Sequence, residues 1–566
     1  MNARQRLADV ARGRVLADLV LTNGRIFDVL SGDLVEGDLA LFGDRIAGIG
    51  RYDGLQTFDV RGRIILPGFI DGGAVLETSL LSLGGYCRAV STHGTTLAVF
   101  DFRGIAAVLG LQGLAAISAG GSRPEIDVRC ALPLTCAPLW DTAPGRFGSL
   151  EPMHLSLPGL VACGGDLDGR TLLDAGGEVL DTSQYEAYLP VIVEAAGVTE
   201  EEAAALLALG VVADRAWHSP QEALAKLRQG LWLLAPEGSM ASSATDLKWL
   251  SKATRLDRVC LVSGPCSAAD LVADGHLDAA LRRVVHAGVP AGDAVRMVTS
   301  QPAALFGLHD RGALLPGRRA DVVVVDDLRN FHINLVIKDG RPIARQGVSL
   351  LPVVKAEAMQ GRQSMHAALI MAEHLVIAGH AGACRIIALE ADGTTTVRFG
   401  TPSWHDGRLG ADPARDIVKV AVLERHTASG RLGKGFVQGL GLREGALCCS
   451  FAGSGQNLIV AGIDDASMLA ALHQVVSDGG GMAVARDGQV SAALPLPYAG
   501  LLSVLPAADL VVAVRHLYEA AWELGCEAAH PFSALASLAH TSAGALRLTE
   551  QGLVDTVNQR LVALQD

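Results

Sequence analysis

Between residues 66 and 310 the chain repeats one pattern. A short aliphatic run is followed by a longer stretch in which Ala and Leu recur among charged residues. The runs are "LPGFIDGGAV", "TTLAVFD", "DVRCALPL", "PGLVAC", "YLPVIV", "LGVVAD", "LWLLAPEG" and "RVCLVSG"; the longer stretches include "TEEEAAALLAL", "SPQEALAKLRQ" and "LDAALRRVVHAG". Continuous aliphatic runs mark strands buried on both faces, and strand–helix repeats with right-handed crossovers build parallel sheets. A count near eight predicts a (β/α)8 barrel.

Two other regions read differently. Residues 1–15 predict a short amphipathic helix. Strands then follow, separated by the turn pairs Asn23-Gly24, Ser31-Gly32-Asp33 and Gly43-Asp44. A second β patch near 318–345 turns at Asp339-Gly340, so both patches are expected to form one composite β-domain. Past residue 360 the strand signals resume, with helices expected at 465–478 and 507–525 and a Gly479-Gly480-Gly481 break between them. The expected division is 1–65 and 311–355 for the composite β-domain, 66–310 for the barrel and 360–566 for a C-terminal α+β domain.

The 566 residues are 50% hydrophobic but only 4% aromatic, so the core is aliphatic. A formal net charge of −13 without a basic cluster argues against nucleic acid and an anionic membrane surface as partners. No apolar run reaches the roughly 20 residues of a membrane span. Ten Cys at irregular spacing form neither a zinc module nor a disulfide framework. The start carries Arg and Asp where a signal peptide needs an apolar core. A cytoplasmic protein is expected.

Reactive groups of a barrel belong at the C-terminal ends of its strands. A hydrolytic metal centre there needs imidazoles and carboxylates converging on one cation. The ordered motifs "PGFID", "HGTT" at 93–96, "IAAVLGLQGL" at 105–114, "TCAP" at 135–138, "PEGS" at 236–239 and "GHLDAALRRVVHAGV" at 275–289 resemble the adenine deaminases of the amidohydrolase superfamily. So do "LFGLHDRGALLPGRRADVVVVDDL" at 305–328 and the tail segments "GFVQGLGLREGAL", "GGGMAV" and "LPLPYAGLLS". The resemblance implies a metal-dependent barrel that converts adenine and water to hypoxanthine and ammonia, with Mn²⁺ or Fe²⁺ activating the water.

The ligand positions that the resemblance implies are altered. The family's His-Val-His-Ile-Glu-Ser-Ser is here Gly73-Ala74-Val75-Leu76-Glu77-Thr78-Ser79, and its Asp-Pro-His-Glu is Asp101-Phe102-Arg103-Gly104. The remaining ligand positions fall on Ala162, Glu194, Arg215 and Gly264, and the tail's His-Asp-Ser-His reads Gly453-Ser454-Gly455-Gln456. No metal is expected at the standard site. Mn²⁺ or Fe²⁺ belongs only to the case in which the family activity is retained.

The cavity candidates are Glu77, Asp101, Arg103, Glu194 and Arg215, with Glu77 and Ser263 as candidate substrate contacts. Glu77 and Glu194 either meet a purine or pair with Arg103 or Arg215 in the space of the metal. His93 reads as a structural histidine, and His218, His276 and His286 as surface or helix-end residues. Cys163 lacks a neighbouring histidine to make it a nucleophile.

The resulting reading is a catalytically impaired family member acting as a purine-binding, regulatory or scaffold subunit. It is expected to be a homo-oligomer or to assemble with an active paralogue. The alternative is an active adenine deaminase, or a related purine hydrolase, with a non-standard metal centre.

Overall fold

The computed structural model describes residues 2–119, 126–135, 151–174, 189–237, 247–253, 255–352, 364–390, 393–541, 544–558 and 560–565. The motifs "TCAP" and "PEGS" leave the described residues at Cys136 and Gly238, and the expected boundary at 355–360 lies outside them.

Every aliphatic run of the middle region becomes a strand of one parallel sheet. In order these are Phe69–Val75, Thr95–Phe100, Asp127–Thr135, Leu160–Asp168, Val191–Glu194, Val211–Asp214, Trp232–Pro236 and Val259–Val262. The last continues after Ser263 as Gly264–Pro265, which pairs with Ala74 and Val75 of the first strand and closes the barrel. The interior is packed by apolar side chains, among them Ile70, Leu97, Val99, Ala162, Ile192, Leu234 and Val262, and Leu305 and Phe306 belong to the same cluster. Such a barrel is a filled core whose chemistry is confined to its rim.

Several helices begin where the sequence supplies a cap. Thr199 with Glu202 forms a capping box for Glu200–Ala208, and Ser219 caps Pro220–Gln229 ahead of a Gly230 stop at φ +107°. The first helix, Ala3–Ala11, starts from an Asn2–Gln5 capping box.

Both β patches merge into one sheet. Val322–Val325 pairs antiparallel with Ile64–Pro67, which in turn lies parallel to Ala17–Phe27. A buried ion cluster ties this sheet to the barrel floor. Arg311 contacts Asp127, at the start of the third barrel strand, and lies 3.3 Å from Asp321; Lys338 Nζ lies 3.3 Å from Asp127 and 3.2 Å from Asp321.

The C-terminal region folds around an eight-stranded sheet running from Thr395–Gly400 at one edge to Gln489–Pro495 at the other. Helices Asp465–Ser477 and Ala507–Glu523 pack on it. It docks on the barrel mouth: the Ser503 N–H donates to Leu80 O at 2.7 Å, and Leu501 packs against Gly104. Among the described residues no helix is long and apolar enough to cross a membrane.

Removing one partner of a buried ion pair leaves the other charge uncompensated, at a cost of about 3–5 kcal/mol. Arg311→Met is therefore expected to lower the unfolding free energy by about 3 kcal/mol, since Lys338 still serves both carboxylates. Urea denaturation of the full chain checks this, and an unchanged midpoint would remove the cluster from the account of how the β-domain is held.

Candidate functional site

At the rim, the second, fifth and sixth strands deliver Asp101, Glu194 and Arg215 to one place. Arg215 Nε donates to Glu194 Oε1 at 2.9 Å, its Nη2 lies 2.8 Å from the same oxygen, and its Nη1 lies 3.3 Å from Asp101 Oδ2. Arg103 donates to Asp101 Oδ2 from Nε at 2.9 Å and from Nη2 at 2.7 Å, and stands 3.8 Å from Glu194. Asp101 is 6% exposed, whereas Glu194 is 46% exposed, so the network runs from the barrel interior out to water.

Burial alone would raise the Asp101 carboxyl. The charges of Arg103 and Arg215 outweigh it and hold the group below its ordinary range. Local backbone geometry makes this contact. Phe102, between Asp101 and Arg103, sits at φ +45° with its ring stacked on Phe100 at 4.9 Å. A left-handed conformation costs a bulky residue about 1–2 kcal/mol, and here it folds Arg103 back onto Asp101.

Glu77 lies beside this network but pairs with neither arginine by a hydrogen bond. Its Oε1 accepts the Ile105 N–H at 3.0 Å, capping helix Arg103–Ser118, whose own N-cap residue supplies no side-chain bond. Its Oε2 is buried without a hydrogen-bond partner. Burial, followed by the neighbouring charge of Asp101, pushes the Glu77 carboxyl up to about 7 against the opposing Ile105 and Arg103.

Glu77 and Arg103 line a cavity of about 420 Å³ between the barrel mouth and the C-terminal domain, whose far wall includes Phe451, Ser454, Tyr518 and Phe532. The Gly453–Gln456 segment also borders it, with Gly453 at φ +60° pressed against Ala539 O. Asp101, Glu194 and Arg215 are not in this lining. Ser263 lines a separate cavity of about 240 Å³ with His276 and Cys266.

The structure corrects the reading of His276. It stands at the start of helix Leu277–His286, as a helix-end residue would, but it is buried (5% exposed). Its Nε2 lies 3.2 Å from Asp71 Oδ2 and 3.1 Å from Tyr86 Oη, and its Nδ1 lies 2.8 Å from Thr95 Oγ1. Ser263 Oγ donates to Asp71 Oδ2 at 2.5 Å and its N–H to Oδ1 at 3.1 Å. This polar knot joins the first, second and last strands. No local pattern marked it, because its members are spread from residue 71 to residue 276. His93 is structural, 3.1 Å from Asp278, while His218 and His286 are exposed. Burial pushes the Cys163 thiol up to about 12, so it supplies no thiolate.

Whether these residues suit a divalent cation can be judged position by position. Gly73, Val75, Ala162 and Gly264 carry no donor atom in their side chains, and Ala162 belongs to the apolar barrel interior. A Cβ at Gly73 would meet Val262 at 3.1 Å; one at Gly264, where φ is +60°, would meet Pro236 at 2.7 Å. A side chain at Gly73 would need Val262 to shift by a few tenths of an ångström, and one at Gly264 would be strained by its backbone as well. Asp101 and Glu194 are engaged by guanidinium groups, which stay protonated. At about 4 Å and an effective dielectric near 20, two unit charges interact by about 4 kcal/mol, and a divalent ion doubles that repulsion from Arg215. Among the described residues no group of three His, Cys, Asp or Glu side chains is placed to hold a metal ion. At these described positions the side chains do not make a donor set for a divalent cation.

Comparison with known proteins gives this frame its family. Residues 209–343 match the model of the amidohydrolase family, and residues 394–560 that of the adenine deaminase C-terminal domain. The chain is 34% identical over 551 residues to an adenine deaminase of Desulfatibacillum aliphaticivorans, covering 96% of both chains. This chain belongs to the adenine deaminase family. Adenine deaminases of Methylobacterium sp. strain 4-46 (34% identical, 97% of this chain and 98% of that one) and of Dehalococcoides mccartyi strain 195 (31%, 98% of each) are similarly related. By family it is a hydrolase, and the likeness runs through all three structural regions. The adenine deaminase family likeness thus extends over nearly the whole chain.

A carboxyl that titrates near 7 in the folded chain and near 4.5 in the unfolded one binds more protons when folded across that interval. Its stabilising contribution is complete below about pH 4.5 and is lost as pH rises through about 7, a span worth up to about 3 kcal/mol. Glu77→Gln, which keeps the acceptor for Ile105, should therefore gain stability over wild type between pH 5 and pH 8. Denaturation midpoints at both pH values measure the difference; parallel profiles would mean that Glu77 ionises in the ordinary range.

Proposed function

We propose that this family member has exchanged metal-dependent deamination for binding: a purine seated in the cavity between the barrel mouth and the C-terminal domain, without turnover. One observation carries the reading. The Arg215 guanidinium lies between Asp101 and Glu194, so a fixed cation of the protein's own occupies two of the carboxylates at the rim. Deamination of an aromatic amidine requires an activated water and a proton donor at the same carbon. On the barrel side, the carboxyl nearest Glu77 is Asp101, and it is held by Arg103 and Arg215.

The cavity supports the binding half of the reading. Its walls are largely apolar, with aromatic residues on the C-terminal side and the unpartnered Glu77 Oε2 on the barrel side. A flat heteroaromatic ring with polar edges suits such walls. The described barrel closes and carries the docked C-terminal domain, which fits a regulatory or scaffold subunit working alone as an oligomer or beside an active paralogue.

A second reading, an active purine hydrolase with a non-standard centre, is favoured by Glu77 alone. Buried carboxyls that titrate near neutrality cluster at catalytic sites.

The two readings part in one preparation. Protein expressed with added Mn²⁺ is expected to carry far less than one metal per chain by elemental analysis and to leave adenine absorbance unchanged. Adenine is expected to raise its melting temperature. Stoichiometric metal together with hypoxanthine formation would overturn the proposal in favour of the hydrolase.

A further inference from the structure

Resting on the purine reading above, we infer that the cavity is built for an uncharged nucleoside in preference to the free base or a nucleotide.

Size is the first argument. A cavity of about 150 Å³ is filled by a single benzene ring. On that scale two fused rings occupy roughly half of the 420 Å³ present here and leave the remainder as void. Unfilled space beside apolar side chains forfeits dispersion contacts along its whole lining. A ligand that extends beyond the base by a second ring-sized group removes the void.

The distribution of polar groups is the second. The barrel wall presents one buried, unpartnered atom, Glu77 Oε2, suited to a single edge of a heteroaromatic ring. The hydroxyls of Ser267, Ser454 and Ser533 line the same cavity and come from three separate segments. Ser267 already accepts the Asp270 N–H, so its own hydrogen remains to be donated. Neutral hydroxyls spread around a volume are matched by a sugar, which both donates and accepts.

Charge excludes the nucleotide. The described lining contains no lysine, and its one arginine, Arg103, is bonded twice to Asp101. Phosphate recognition draws on guanidinium or ammonium groups free to face it. Here a phosphate would instead approach the carboxyl of Glu77 and the negative end of the rim network. His530, whose ring packs on Tyr518 at 6.0 Å, and His540 are the remaining nitrogen bases of the wall.

Isothermal titration of the full-length protein with adenine, adenosine and adenosine 5′-monophosphate at neutral pH tests the inference, with melting temperatures as a parallel readout. Adenosine is expected to bind at least tenfold more tightly than either of the others. Glu77→Gln, verified as folded by its unliganded melting curve, is expected to weaken adenosine at least fivefold. Adenine binding as tightly as adenosine, or the monophosphate binding more tightly, would overturn the nucleoside inference and leave the purine reading standing. Adenosine binding that ignores Glu77→Gln would place the nucleoside elsewhere and overturn it as well. Failure of all three compounds to bind would remove the purine reading itself.

Discussion

Two guanidinium groups set against two carboxylates govern the rim of this barrel. Asp101, half of the arrangement, is almost fully buried, and a lone carboxylate there would be driven to protonate. Arg103 and Arg215 keep it charged, and Arg215 carries the same connection across to Glu194. The ends of three strands are thereby cross-linked by ion pairs where a bound cation could otherwise have joined them. Guanidinium groups do not lose their protons, so both arginines remain positive beside these carboxylates across the physiological pH range. Glu77, excluded from the network, is left with one satisfied oxygen and one bare one.

The frame tolerates such a change because its stability comes from elsewhere. The interior of the barrel is closed by aliphatic side chains, and its floor is tied to the composite β-domain through Arg311, Lys338, Asp127 and Asp321. The knot of Asp71, Ser263, His276, Tyr86 and Thr95 holds the seam where the last strand meets the first. Two of the altered ligand positions take part in these supports, Ala162 in the apolar interior and Gly264 in the closing strand pair, and neither needs a donor atom to do so. Barrel enzymes divide labour in this way, with stability in the body and chemistry at the rim, so a family frame is no warrant for the family reaction.

The C-terminal domain changes what the rim can do. It adds a second wall, with aromatic and hydroxyl groups, to a partly open cavity at the mouth, and sets residues such as Phe451, Ser454, Tyr518 and Phe532 across from Glu77 and Arg103. Recognition then depends on both walls together. A ring held by the aromatic side can reach the Glu77 oxygen only if the domain is docked, and the docking is secured by the Ser503–Leu80 backbone bond and the packing of Leu501 on Gly104.

Much of this was legible before any coordinates. Eight aliphatic runs became eight barrel strands, the Ala/Leu stretches became helices, and the glycines at 73 and 264 and the arginine at 215 stand in the sequence without a metal-donor atom. Those features are local: strand burial, capping and the loss of a donor atom are properties of single residues or short windows. Only the tertiary structure decided that Glu194 pairs with Arg215 while Glu77 does not, that His276 is buried against Asp71, and that the cavity lies beside the ion network and not within it. Such facts depend on side chains separated by tens to hundreds of positions meeting at 3 Å. No periodicity along a chain carries that information, because it arises only when the barrel closes and its lid comes down.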